Sequence, residues 1–383
     1  MSGTPVDRTF PWMIRIGSGQ IATHRLFFIA ILAFVIAIML PAIFAPRLHA
    51  GLTILTDGIR FGCFAAGTKG ADCIEASFAR LADAKGPEAA MDALKNDQPI
   101  FFGSALDCHA SAHAIGRVAA SRYASVGEAF AVGDPYCWSG YYHGVIEGTM
   151  RGIPREALSA RELDPICATI RERDRATFDH WNCAHGLGHA LMYLHGEDLE
   201  RSLASCDLLS DPWERTQCPF GVYMQNAMGG ETAAHQSRFL SDDPAFPCTE
   251  AMPERADACW WIQSTRYLHL APNDFAGLFA FCDRAGEHRA ACLDGIGREA
   301  SARSGMHSTK TAARCTLAPN DGDHAACIAG AARNMRSFYH DDAPARAFCT
   351  DINAKFVDTC LAAVDAYPTV LYDFSITSHP VRP

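Results

Sequence analysis

Nowhere in its 383 residues does the chain space two cysteines as Cys-x-x-Cys. That one absence excludes the zinc ribbon, the thioredoxin-type redox pair and the Cys-x-x-Cys-His haem attachment site together. Basic clusters are also missing, and the formal net charge is −10. Nucleic acid is therefore excluded as a partner, because binding it requires Lys and Arg to displace counterions. Alternating β-branched runs are scarce, so the bias is helical. No Gly-x-Ser-x-Gly elbow, phosphate-binding Gly-rich Lys loop or dinucleotide fingerprint occurs, and Gly186 follows His185 where a zinc protease needs Glu. The sequence names no reaction.

What the chain does have is cysteine: sixteen of them, all after residue 60. Structural disulfides in an oxidising compartment are the simplest use of so many. Ahead of them, residues 26–45 (LFFIAILAFVIAIMLPAIFA) are uncharged. At about 1.5 Å per helical residue they span roughly 30 Å, the thickness of a hydrocarbon core. Arg8, Arg15 and Arg25 precede this run, with only Asp7 against them. The positive-inside rule then keeps residues 1–25 in the cytoplasm and exports the rest. A cleaved signal peptide is the competing reading, but its apolar core is usually about 7–15 residues. The expectation is a single-pass membrane protein, anchored through residues 26–45, with its main domain periplasmic or extracellular.

The cysteines fall into close pairs: Cys63/Cys73, Cys167/Cys183, Cys206/Cys218, Cys248/Cys259, Cys282/Cys292, Cys315/Cys327 and Cys349/Cys360. From Cys183 onward the second members recur at steps of 35, 41, 33, 35 and 33 residues. That is the length of one helix–turn–helix unit. The first cysteine of a pair ends an apolar helical stretch, as in FAGLFAFC (275–282), and the second opens a new helix, commonly as Cys-x-x-Gly. Glycine there suggests that another helix passes close. Each pair is expected to be a disulfide joining the helices of one hairpin, worth about 3 kcal/mol by the chain-entropy model. Cys108 and Cys137 remain, and are expected to bond to each other across neighbouring units.

The plan resembles that of the cysteine-rich, Sel1-like helical repeat proteins, in which a disulfide staples each hairpin. The resemblance covers about residues 60–365 and is to the plan alone, since the Leu-Gly and Ala-Ala signatures of the Sel1 repeat are absent. The expected fold class is thus all-α, an α-solenoid of Sel1/TPR-like plan over residues 46–367, after the anchor. Residues 86–103 read as a linker or irregular unit, and residues 368–383 as a tail outside the repeat.

Seven of the sixteen histidines lie between residues 109 and 195. Three stretches look alike: Cys108-His109-x-x-x-His113, Cys137-x-x-Gly140-x-x-His143-Gly144-x-x-Glu147 and Cys183-x-His185-Gly186-x-x-His189. Within each, two potential ligands stand four residues apart and so share one helix face. Counted from the helix-opening cysteine, His143 and His189 both sit at +6, and equal offsets line up in stacked hairpins, typically on the concave side. Met224, Thr265, Arg298 and Arg333 hold that offset further on, so the ligand row is confined to the N-terminal units. His109 and His113 are one residue out of step, about 100° of helix rotation.

The expected site is a transition-metal centre, Fe, Zn or Cu, built from His109, His113, His143, Glu147, His185 and His189, with some of these orienting the others. Trp138, Tyr141, Tyr142 and Tyr193 either line this pocket or pack in the core. Arg298 and Arg333 either bind an anionic substrate or sit solvated on the surface. His195, followed by Gly196, should cap a helix end. Three functions fit: a metalloprotein, metal-dependent enzymes included, acting by metal-assisted attack of water or O2 on a small-molecule or peptide ligand in the concave groove; a non-catalytic repeat scaffold for proteins or peptides; and metal storage or delivery.

Overall fold

In a computed structural model of the chain, the residues described are 70–101, 105–173, 175–229, 237–339 and 341–366. All belong to the second of two units into which the chain divides, Cys63–Pro383. The expected anchor, its cytoplasmic flank, Cys63 and the tail from 368 lie outside the described residues. None of the described helices is long and apolar enough to cross a membrane.

The described residues are helical and contain no strand. The α-helices are α1 (Gly70–Lys85), α2 (Pro87–Phe101), α3 (Ala105–Arg122), α4 (Val126–Ala131), α5 (Gly140–Met150), α6 (Ala160–Arg173), α7 (Phe178–His195) and α8 (Leu199–Cys206). They continue as α9 (Pro212–Gly229), α10 (Pro253–Leu270), α11 (Phe275–Phe281), α12 (Arg289–Ala302), α13 (Ser308–Cys315), α14 (Asp321–Tyr339), α15 (Asp342–Thr350) and α16 (Val357–Asp365).

Outer helices buried along one stripe alternate with more fully buried inner ones. The outer helix α8 is capped by Asp198, whose carboxylate accepts from the Arg201 N–H, and buries Leu199, Leu203 and Cys206 on one stripe. The inner helix α7 is buried at every residue from Phe178 to Met192 except Asp179, the signature of a helix surrounded by others. It stops at Gly196, whose left-handed φ of 66° lets its N–H turn back to the carbonyls of Met192 and Tyr193. His195 does close the helix, as its sequence context suggested.

Disulfides join outer to inner helices within hairpins, as in Cys167–Cys183, Cys206–Cys218, Cys282–Cys292, Cys315–Cys327 and Cys349–Cys360. Cys248–Cys259 departs from the pattern, because Cys248 sits in a 3-10 turn (Cys248–Glu250) after an irregular stretch rather than at an α-helix end. That stretch accounts for the long step of 41 residues. Cys108–Cys137 is formed as well, with Cα atoms 5.6 Å apart. Among the described residues no cysteine is free.

The first expected staple, Cys63/Cys73, is described at one end alone. Cys73 is disulfide-bonded, but its expected partner Cys63 lies outside the described residues, so this pairing is not among the bonds given above. Cys73 also sits within the opening turns of α1 rather than at the helix start, and its carbonyl accepts from the Ser77 hydroxyl at 2.8 Å.

Other cysteines likewise open helices less literally than their spacing implies. Helix α7 starts before Cys183, at the Thr177 cap, whose hydroxyl accepts from the His180 N–H. Cys137 lies ahead of α5 altogether, in a turn where Cys137, Trp138 and Ser139 all take left-handed φ. Residues 86–103 correct the linker expectation: most of them form α2. Ala90, Met91 and Leu94 bury one face of it, the apolar stripe of a packed helix.

Inner helices pack side by side, α3 on α5, α5 on α7, α7 on α9, and onward from α10 through α12 and α14 to α16. Glycine sets the spacing. A Cβ on Gly144 would collide with the His113 carbonyl, and one on Gly221 with that of His185. Side-chain pairs tie adjacent inner helices laterally: His180 to Glu214 at 2.7 Å, and Arg289 to Asp323 at 2.5 Å, each across 34 residues.

Candidate metal centre

Helices α3, α5 and α7 bring the predicted residues together. His143 stacks on His189 with ring centroids 4.5 Å apart and 17° between planes. His109 and His113 both lie 5.4 Å from His143, and His185 lies 4.8 Å from it. The one-residue offset of the α3 pair therefore does not exclude it, because glycines 140 and 144 seat α5 against the backbone at His109 and His113. Two sets, His109/His143/His189 and His113/Glu147/His189, each hold ligand atoms within 4.8 Å of one another. None of the six residues is more than 7% exposed. The cluster is thus interior, between inner helices, rather than on an open concave face.

Hydrogen bonds fix the tautomers. His109 Nδ1 lies 2.8 Å from the Cys137 carbonyl oxygen, which only accepts, so Nδ1 carries the proton. His113 Nδ1 donates to Glu147 Oε1 at 2.6 Å. His189 Nδ1 faces Gln225 Oε1 at 3.0 Å, while the Gln225 Nε2 donates toward Glu197 Oε1 at 3.5 Å and so orients the amide. The imidazoles of His109 and His189, with Nδ1 as donor, consequently present bare Nε2 lone pairs to the interior. The Nε2 atoms of His109 and His113 stand 2.9 Å apart, and those of His185 and His189 3.1 Å. Neither nitrogen of His143, nor His185 Nδ1, has a hydrogen-bond partner among the described residues.

Protons are disfavoured on His109, His143, His185 and His189. Burial first, then the neighbouring imidazoles, push His109, His143 and His185 well below the usual histidine range. Burial and His113 bring His189 down to about 4. Burial alone would raise the Glu147 carboxyl, but His113 and Arg117 outweigh it and hold Glu147 at about 2. Its second oxygen accepts from Arg117 Nη1 at 2.8 Å. Glu147 therefore reaches the cluster with both oxygens already engaged.

Sequence reasoning missed Arg117, Gln225, Glu197 and the Cys137 carbonyl, all of which act on the imidazoles from outside. Only Gln225 carried a signal, standing next to Met224 at the shared offset. Among the aromatics, Tyr141 and Tyr142 are core: Tyr141 donates to the Ala129 carbonyl at 2.9 Å, and Tyr142 packs edge-on to Phe130. Trp181, not singled out, lies over His185 with centroids 4.4 Å apart. Arg298 and Arg333 are neither solvated nor open to a substrate. Arg298 pairs with Glu299 at 3.0 Å and lies over the Trp261 ring, and Arg333 pairs with Asp294.

No family model matches the chain, and neither a curated protein nor a solved structure matches it.

Proposed function

We propose that the chain is an exported, membrane-anchored metalloprotein of α-solenoid plan, whose imidazole cluster holds a transition metal. The observation that carries this is the set of bare, buried nitrogens aimed at one another. An unsatisfied buried polar group costs about 1–3 kcal/mol, and here several are gathered where protonation is disfavoured. A cation is what such a set accommodates. Two nitrogens each ~2.1 Å from one ion are separated by about 3.0–3.4 Å at bond angles near 90–110°, close to the 2.9 and 3.1 Å found.

The Nδ1 anchors support the same reading. Metal-bound imidazoles almost always donate their other N–H to a carbonyl or carboxylate, as His109 and His113 do. His109, His113, His143, His185 and His189 would supply the ligands, with Glu147 and Gln225 orienting them. A set dominated by imidazole suits Zn, Cu, Fe or Ni. When bound, such an ion supplies Lewis acidity or, for Cu and Fe, redox chemistry. Burial of every ligand favours a resident ion over the exchangeable one that storage or delivery requires. The disulfides support an oxidising compartment, and residues 26–45 supply the anchor.

Titration of the chelator-stripped full chain with Co2+ tests this. A saturable ligand-field absorption, absent from the His143→Ala/His189→Ala variant, is expected. No saturable band from a chain that circular dichroism shows to be folded would overturn it and leave the scaffold reading.

A further inference from the structure

A cavity of 390 Å³ abuts the imidazole cluster and shares Glu147 with it. Its wall connects to the cluster in two hydrogen bonds, Arg117 to Glu147 at 2.8 Å and Glu147 to His113 at 2.6 Å. Its charged lining is Arg117, Arg151 and Arg155 against Glu75 and Glu147, a surplus of one positive charge (three minus two). Arg117 is committed to Glu147 and reaches Glu75 at 3.5 Å. Arg151 and Arg155 make no ion pair among the described residues, so the surplus resides on their two guanidinium groups. The rest of the lining, Met150, Ala190, Leu194 and the ring of Tyr193, is mostly apolar.

Deepening the metal reading on which it rests, we infer that this cavity binds a small organic carboxylate with a short apolar body, beside the metal centre. Guanidinium forks match a carboxylate in two parallel hydrogen bonds. One surplus positive charge matches a monoanion. The apolar wall offers a dianion such as phosphate few donors for its remaining oxygens, but suits a hydrocarbon body. The volume lies within the range of small-molecule sites, about 300–1,000 Å³. Tyr193, four residues after His189, also lines this cavity.

Calorimetric titration of the full chain with benzoate, benzamide and inorganic phosphate at fixed ionic strength tests this, with metal content measured on the same sample. Benzoate is expected to bind at least about tenfold more tightly than neutral benzamide, and more tightly than phosphate. Arg151→Gln/Arg155→Gln should weaken benzoate by about tenfold while leaving metal content and thermal unfolding as in the parent. Equal binding of benzoate and benzamide, tighter binding of phosphate, an unchanged double variant, or no benzoate heat up to roughly 10 mM would each overturn it. Metal present without benzoate binding removes the cavity proposal and spares the metal site; benzoate binding without metal does the reverse.

Discussion

At the register position six residues past the hairpin cysteine, α5 and α7 place His143 beside His189, while α10 and α12 place Thr265 beside Arg298. Both pairs touch, the second through a 2.6 Å hydrogen bond from the Arg298 guanidinium to Thr265. The C-terminal pair then closes on itself. Thr265 donates to Glu299 at 2.8 Å, Glu299 accepts from Arg303 at 2.8 Å, and the neighbouring Asp294 takes both the Trp261 N–H at 2.8 Å and Arg333. The N-terminal set does not close. It ends in imidazole nitrogens that face one another or nothing. The same helix spacing thus serves two purposes, internal neutralisation in one half and an unspent set of lone pairs in the other.

The largest effect is expected where the halves agree. Gly144→Ala and Gly330→Ala should each cost about 3 kcal/mol or more, because each new methyl meets a backbone carbonyl of the next helix. Thermal unfolding would check this, and only Gly144→Ala should also lower metal affinity. Next, Asp294→Ala should cost about 3 kcal/mol by stripping Arg333 and Trp261 of a buried partner, read by denaturant unfolding.

A pH series sharpens the contrast further. The folded-state values of His109, His143 and His185 lie well below 6.5, and that of His189 falls from 6.5 to about 4. Below pH 6.5 the unfolded chain therefore binds more protons than the folded one. Metal-free protein should lose stability steadily as pH falls from 6.5 toward 4. Glu147 opposes nothing in that window above its unfolded value of 4.5; its own contribution is lost only as pH falls from there through about 2. Chelator-treated His143→Leu/His189→Leu protein should show a shallower slope between pH 6.5 and 4. The smallest effect should come from His143→Leu in metal-free protein, a change within about 1 kcal/mol, since the wild-type ring has no hydrogen bond to lose. A loss as large as that of Asp294→Ala would erase the distinction between the halves.

Much of this architecture was legible because it is local or periodic. Cys206 and Cys218 stand near in sequence, and the more distant pair Cys108–Cys137 followed from what the close pairs left over. His143 and His189 were found by a shared offset. Contacts without periodicity stayed hidden: nothing in Arg117 announces that it holds the Glu147 carboxylate of the facing helix, and Gln225 signalled its contact with His189 only by standing next to Met224. Arg298 looked solvated because an arginine's sequence context does not reveal a tryptophan from another helix lying beneath its guanidinium. The left-handed turn at Cys137, which aims a carbonyl at His109, is built from residues that rarely adopt it, so spacing gave no hint of it.

The central claim is tested most directly by elemental analysis of the full chain purified without chelator, alongside His143→Ala/His189→Ala and the C-terminal control Arg298→Met. About one or more transition-metal ions per chain are expected in the wild type and in Arg298→Met, and none in the double histidine variant. A folded wild type carrying no transition metal, or a double variant carrying as much as the wild type, would contradict the account.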